Sequence, residues 1–109
     1  MKSENLEDKK LGLEKDIQRL GFTSLRYSLL NKSKDDKNEW QRRIDFEDGK
    51  YYVYALADRE SLLGNKKEFE NFDEAKREFL SRLKGAVDLN RMYVEAGMSP
   101  EYSSPLWDK

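Results

Sequence analysis

The dipeptide Asp48-Gly49 fixes more of the geometry of this chain than any other pair of residues. Trp40, Arg42, Ile44 and Phe46 lead up to it at every second position, and Tyr51, Val53, Ala55 and Ala57 lead away in the same rhythm. Asp-Gly is favoured in two-residue hairpin turns because both central positions need positive φ, and the twist of such a turn matches the flanking strands. The turn sets Glu47 opposite Lys50. Counting back pairs Phe46 with Tyr51, Ile44 with Val53, Arg42 with Ala55 and Trp40 with Ala57. Strand side chains alternate with period two, so these pairs share one face, read here as the core. The opposite face carries Asp45 with Tyr52, Arg43 with Tyr54 and Gln41 with Leu56, and is expected to be an amphipathic surface.

Helical periodicity flanks the hairpin. From Ser3 to Leu20 the residues Leu6, Leu13, Ile17 and Leu20 form one stripe, with charges on the other faces, and Gly21 supplies the stop. Gly12 weakens this helix by about 1 kcal/mol relative to Ala. Phe22 to Leu30 reads as a half-buried strand through Leu25, Tyr27 and Leu29, and a polar loop from Asn31 to Asn38 ends it. Beyond Ala57 a turn closes at Gly64-Asn65, and Lys66 to Glu70 suits a short edge strand with Phe69 inward. Asn71 with Glu74 fits a capping box. Phe72, Ala75, Phe79, Leu83, Ala86, Asn90 and Val94 then keep a three-or-four spacing, with Gly85 a candidate kink and Gly97 the end.

The expected fold is an α+β two-layer sandwich: an N-terminal helix, a three- to four-stranded antiparallel sheet, a long C-terminal helix and a C-terminal strap. Residues 1–109 form a single domain, with 1–97 the helix-sheet-helix core. In the tail 98–109 charge thins out, while Tyr102, Leu106 and Trp107 appear among Ser and Pro. That much apolar area argues for a segment folded back on the domain through Leu106 and Trp107.

At 109 residues the chain is long enough for one modest core, with roughly two-thirds of its unfolded surface buried on folding. Charged residues make up 39 % and aromatics 12 %, so the interior leans on rings and leucines. No histidine and no cysteine is present, which removes the usual metal ligands, the commonest neutral-pH base and the thiolate nucleophile. The chain is therefore read as a binding protein and not an enzyme, with no cofactor and no metal site. Its 22 acidic and 21 basic residues nearly cancel, which argues against a general nucleic-acid binder and against a polybasic membrane anchor. Without an apolar leader or spanning run, a cytoplasmic protein is the simplest reading. Oligomeric state is left open.

Among candidate contact residues, Arg43, Asp45, Tyr52 and Tyr54 lie on the outer sheet face, since Tyr and Arg supply contact area and hydrogen bonds at low entropic cost. Asp58 and Glu60 follow the strand that ends at Ala57, where loops leaving a rigid sheet gather binding residues. Trp107 is the remaining anchor. A small nucleic-acid-binding module is the alternative, with Tyr52, Tyr54 and Arg43 as a stacking platform. The element order resembles the double-stranded-RNA-binding domain, yet Asp73 and Glu74 stand at the second helix start, where they repel phosphate.

Three segments carry a closer resemblance: Tyr52-Val-Tyr-Ala-Leu-Ala-Asp-Arg-Glu-Ser-Leu62, Phe72-Asp-Glu-Ala-Lys-Arg-Glu-Phe-Leu80 and Tyr102-Ser-Ser-Pro-Leu-Trp-Asp-Lys109. Together they are similar to a family of bacterial immunity proteins from polymorphic toxin systems. The resemblance implies a small cytoplasmic antidote, made beside its toxin, that binds and blocks the toxin domain without catalysis. Antidotes to nucleases often present a strongly acidic surface, whereas the net charge here is only −1.

Overall fold

The computed structural model describes residues 6–30 and 38–108, apart from the side chain of Glu60. Helix α1 (Leu6–Leu20) is followed by strands β1 (Tyr27–Leu29), β2 (Arg42–Glu47), β3 (Lys50–Leu56) and β4 (Leu62–Phe69), then by helix α2 (Phe72–Glu95). A 3-10 turn, Asp58–Glu60, lies between β3 and β4. The strands form one sheet in the order β1-β2-β3-β4, so the fold is α+β as expected.

The hairpin follows its turn chemistry. Asp48 and Gly49 take φ of 54° and 80°, and the register runs Glu47–Lys50, Phe46–Tyr51, Asp45–Tyr52, Ile44–Val53, Arg43–Tyr54 and Arg42–Ala55. Both helices end in the same way. Gly21 and Gly97 adopt positive φ, and the residue after each donates to a carbonyl five positions back: Phe22 to Ile17 at 3.0 Å and Met98 to Tyr93 at 2.8 Å. This double closure satisfies carbonyls that a helix end leaves unpaired. At the start of α2, Asn71 Oδ1 accepts from the Glu74 amide at 3.2 Å. The helix runs on through Gly85 unbroken.

The core fills the space between the sheet and the two helices. Leu13 and Ile17 of α1, Ile44, Tyr51 and Val53 of the hairpin, and Ala75, Phe79, Leu83 and Val87 of α2 form it, with Leu25, Leu29 and Trp107 at one end. Tyr51 joins the layers: its ring lies 4.9 Å from Phe46 and 5.4 Å from Phe72, and its hydroxyl accepts from Lys9 Nζ of α1 at 2.8 Å. Leu20, expected on the buried stripe of α1, is exposed at the helix end.

Three expectations change. β1 pairs with β2 in parallel, with Tyr27, Ser28 and Leu29 beside Arg42, Arg43 and Ile44, so the sheet is mixed and not antiparallel throughout. The polar loop that leaves β1 falls largely on residues 31–37, outside the described residues. β4 is eight residues long and begins before Gly64-Asn65. The register slips between Val53 and Ala55, because β4 spends four positions, Leu63 to Lys67, where β3 spends two. Gly64, at φ 74°, belongs to this bulge and not to a turn, as glycine in an interrupted strand often does.

The tail is a strap pinned by side chains. Glu101 forms a buried ion pair with Arg42, at 2.7 and 3.4 Å from its two terminal nitrogens. Asn90, buried on α2, accepts from the Glu101 amide at 2.6 Å and donates to Ala86 O at 2.8 Å. Further along, Ser104 meets Ser24 at 2.9 Å, Arg91 donates to Leu106 O at 3.0 Å, and the Tyr102 hydroxyl accepts from the Arg26 amide at 3.0 Å.

Candidate functional site

Alternation along β2 and β3 sends Gln41, Arg43, Asp45, Tyr52 and Tyr54 to the face opposite the helices. Contrary to the expectation of an exposed amphipathic surface, that face is largely buried. Arg43 is 0 % exposed and Tyr54 4 %, while Gln41 and Asp45 are also buried. A guanidinium withdrawn from water is tolerated only when its donors are met. Arg43 donates to Gln41 Oε1 at 2.8 Å and to the Tyr54 hydroxyl at 3.0 Å, and reaches Asp45 Oδ1 at 3.3 Å. The Tyr54 hydroxyl in turn donates to Asp45 Oδ2 at 2.5 Å. Ser28, buried as well, stands beside Arg43 in the sheet.

Burial and the neighbouring Asp45 carboxylate push the Tyr54 phenol up to about 12, with Arg43 opposing them. Tyr54 is therefore a proton donor locked into a network, unlike a hydroxyl primed for ionisation. Lys66 of β4 sits over this network, its Nζ 4.9 Å from the Tyr54 ring centre and 5.2 Å from that of Tyr52. Such stacking of an ammonium on aromatic faces is worth about 0.5–1 kcal/mol where water competes. Tyr52 is half-buried. The stacking platform envisaged for bases is not assembled, because Arg43 and Tyr54 lie beneath the surface and Lys66 covers the rings.

Around the turn after β3 the structure is more open. Asp58 is exposed, and Arg59 takes a left-handed φ of 58° with its amide donating to Glu39 Oε2 at 2.9 Å. Glu60 belongs to the same turn, though its side chain is outside the described residues. Trp107 is 4 % exposed, sits edge-on to Tyr102 at 5.3 Å, and donates from Nε1 to Tyr102 O at 2.7 Å. It holds the strap down. The indole therefore offers no free face to another molecule.

Sequence reasoning found only the second half of β4, as an edge strand from Lys66, and passed over the first half from Leu62. β4 is the last strand of the sheet, and every residue from Leu62 to Glu68 is exposed, with Leu62 at 53 % and Leu63 at 36 %. A groove of ≈ 510 Å³ beside it is lined by Phe69, Glu74, Arg77, Glu78 and Ser81, from the strand end and the flank of α2. The signal available in the sequence was Leu62-Leu63 next to Lys66-Lys67. An apolar pair in a run with no other burial pattern marks an exposed strand.

These features define a small two-layer α+β fold with a buried polar network under one sheet face and an exposed strand edge beside it. Within that class the comparison is specific. The model of the family Immunity protein 59 matches residues 6–108, nearly the whole chain, and the chain belongs to that family of immunity proteins. No curated protein and no solved structure matches it.

Proposed function

We propose that this protein binds a cognate toxin domain and neutralises it by occlusion, in the cytoplasm of the cell that makes it and without chemistry of its own. The observation that carries the reading is the family match, which spans both helices, the whole sheet and most of the strap. The architecture suits the task, since a surface held rigid before binding loses little conformational entropy on association. The Arg43 network and the strap supply that rigidity.

Within this reading the initial contact set divides by depth. Tyr52 and Asp58 are within a partner's reach, and Glu60 belongs to the same exposed turn. Arg43, Asp45 and Tyr54 act from beneath by fixing the shape of the outer face, and Trp107 acts by pinning the strap. The test is genetic and biochemical together: the open reading frame adjacent to this chain's gene is expressed alone and with it. Arrest of growth by the neighbour alone, with rescue and co-purification of the pair, supports the proposal. Arrest that persists at full expression of this protein overturns it.

A further inference from the structure

Two non-glycine residues at one end of the sheet hold left-handed backbone: Trp40, at φ 60°, just before β2, and Arg59, at φ 58°, just after β3. An L side chain resists that conformation, so it persists only where neighbouring groups hold it. Here they do so from several sides. Arg26 donates to Glu39 O at 3.0 Å and Arg42 to Trp40 O at 3.3 Å. The two turns are also clipped to each other, Arg59 N to Glu39 Oε2 at 2.9 Å and Trp40 N to Ala57 O at 3.4 Å. Both arginines are set by the strap, Arg42 through its ion pair with Glu101 and Arg26 by lying 4.5 Å from the centre of the Tyr102 ring.

Neither side chain displayed in this way belongs to the core. Trp40, expected in the core opposite Ala57, is half-buried and stands outside the core cluster, and nothing among the described residues accepts from its indole Nε1. Arg59 is exposed, and its guanidinium has no partner among the described residues. Glycine would form either turn without strain. In its place stand a tryptophan and an arginine, two of the residue types that anchor protein interfaces most often.

The charges around them say what they meet. Glu39, Asp58 and Glu60 outnumber Arg26 and Arg59 among the described residues at this end, because Arg42 is matched by Glu101. Two copies meeting here would crowd carboxylates together, and such like-charge contacts suppress an association. We propose that Trp40 and Arg59 are the anchors through which this protein holds the toxin, with the indole in an apolar pocket that offers an acceptor to its N–H, Arg59 donating to acceptors beside it, and a basic rim facing Asp58 and Glu60. This rests on the toxin-binding reading above. The strap then serves the interface as well as the fold. Through Arg26 and Arg42 it sets both anchors in place before the toxin arrives, which lowers the ordering cost of association.

The chain contains two tryptophans, so incorporation of fluorotryptophan gives one fluorine resonance for Trp40 and one for the buried Trp107. On addition of the inactivated neighbouring toxin domain the Trp40 resonance should shift while that of Trp107 stays. Trp40→Gly and Arg59→Gly should each weaken the complex by about tenfold or more without lowering the urea midpoint, since glycine takes positive φ freely. Asp58→Lys should weaken it by about tenfold, and by less in high salt, while Lys15→Glu on the exposed side of α1 should leave it unchanged. A complex that forms with the Trp40 resonance unmoved, or with full affinity in either glycine variant, overturns the anchor site and leaves the toxin-binding reading standing. A urea midpoint that falls in the glycine variants assigns these side chains to the fold and overturns the site as well. Unchanged affinity of Asp58→Lys overturns the basic rim. Absence of any complex overturns both readings. A Trp40 resonance that moves with concentration in the isolated chain means that a second copy occupies the site, and also overturns the proposal.

Discussion

Arg43 is a fully withdrawn cation, and its partners among the described residues include Gln41 and Asp45 two positions either side and Tyr54 across the ladder. Removing one member of such a buried set costs more than the set contributes, because the survivors stay buried without their counter-charge. Arg43→Met should therefore destabilise the protein by about 3–5 kcal/mol, read from the urea midpoint. Tyr54 gives a pH signature. Its phenol is held up to about 12 when folded against an ordinary value of 10.0, so between those values the folded chain keeps a proton that the unfolded chain has released. Stability from this group is complete below pH 10 and is lost as pH rises toward 12, by on the order of 2 kcal/mol. Thermal melts across that range should show the fall, and Tyr54→Phe should flatten it. Tyr27 and Tyr102, also raised by burial, leave a remainder. The pairing of these residues was legible from the Asp-Gly turn alone. Their burial was not, because alternation assigns a side chain to a face without saying whether that face is covered. One clue was present: a guanidinium with an amide, a carboxylate and a phenol at the adjoining positions already has the acceptors that burial demands.

At the scale of elements, the strap and the hairpin carry the most local information. Trp107→Ala should cost about 3–5 kcal/mol, since it removes a buried indole and its bond to Tyr102. Glu101→Gln should be comparably harmful if Arg42 is left a buried cation, and both losses should appear in chemical denaturation without a change in the hairpin's own register. Gly49→Ala should cost about 1 kcal/mol, because Gly49 holds a φ of 80° that an L side chain resists. Helix ends and the hairpin were readable because each depends on chemistry within a few residues, and the docked tail was readable because its apolar residues stand out in a segment where charge thins. The parallel partnership of β1 was not, since a three-residue strand carries no sign of direction and its placement follows from long-range packing. β4 was read as too short for a related reason. Gly64-Asn65 is as good a turn signal as it is a bulge signal, and only pairing with β3 distinguishes them.

Over the whole molecule, a near-neutral charge and a two-layer body fit the reading of a protein that recognises its target through a local surface. The family match establishes the class, and the structure adds a division of labour between buried groups that hold the surface and exposed ones available to touch a partner. The central claim is that the toxin is blocked by being covered. Titrating the purified toxin domain with this protein and following toxin activity tests that claim most directly. Inhibition should rise linearly, reach completion at equal amounts of the two proteins, and reverse when the complex is taken apart with the toxin chemically unchanged. Complete and irreversible loss of toxin activity at a small fraction of that amount would mean that one molecule acts on many, and would contradict occlusion.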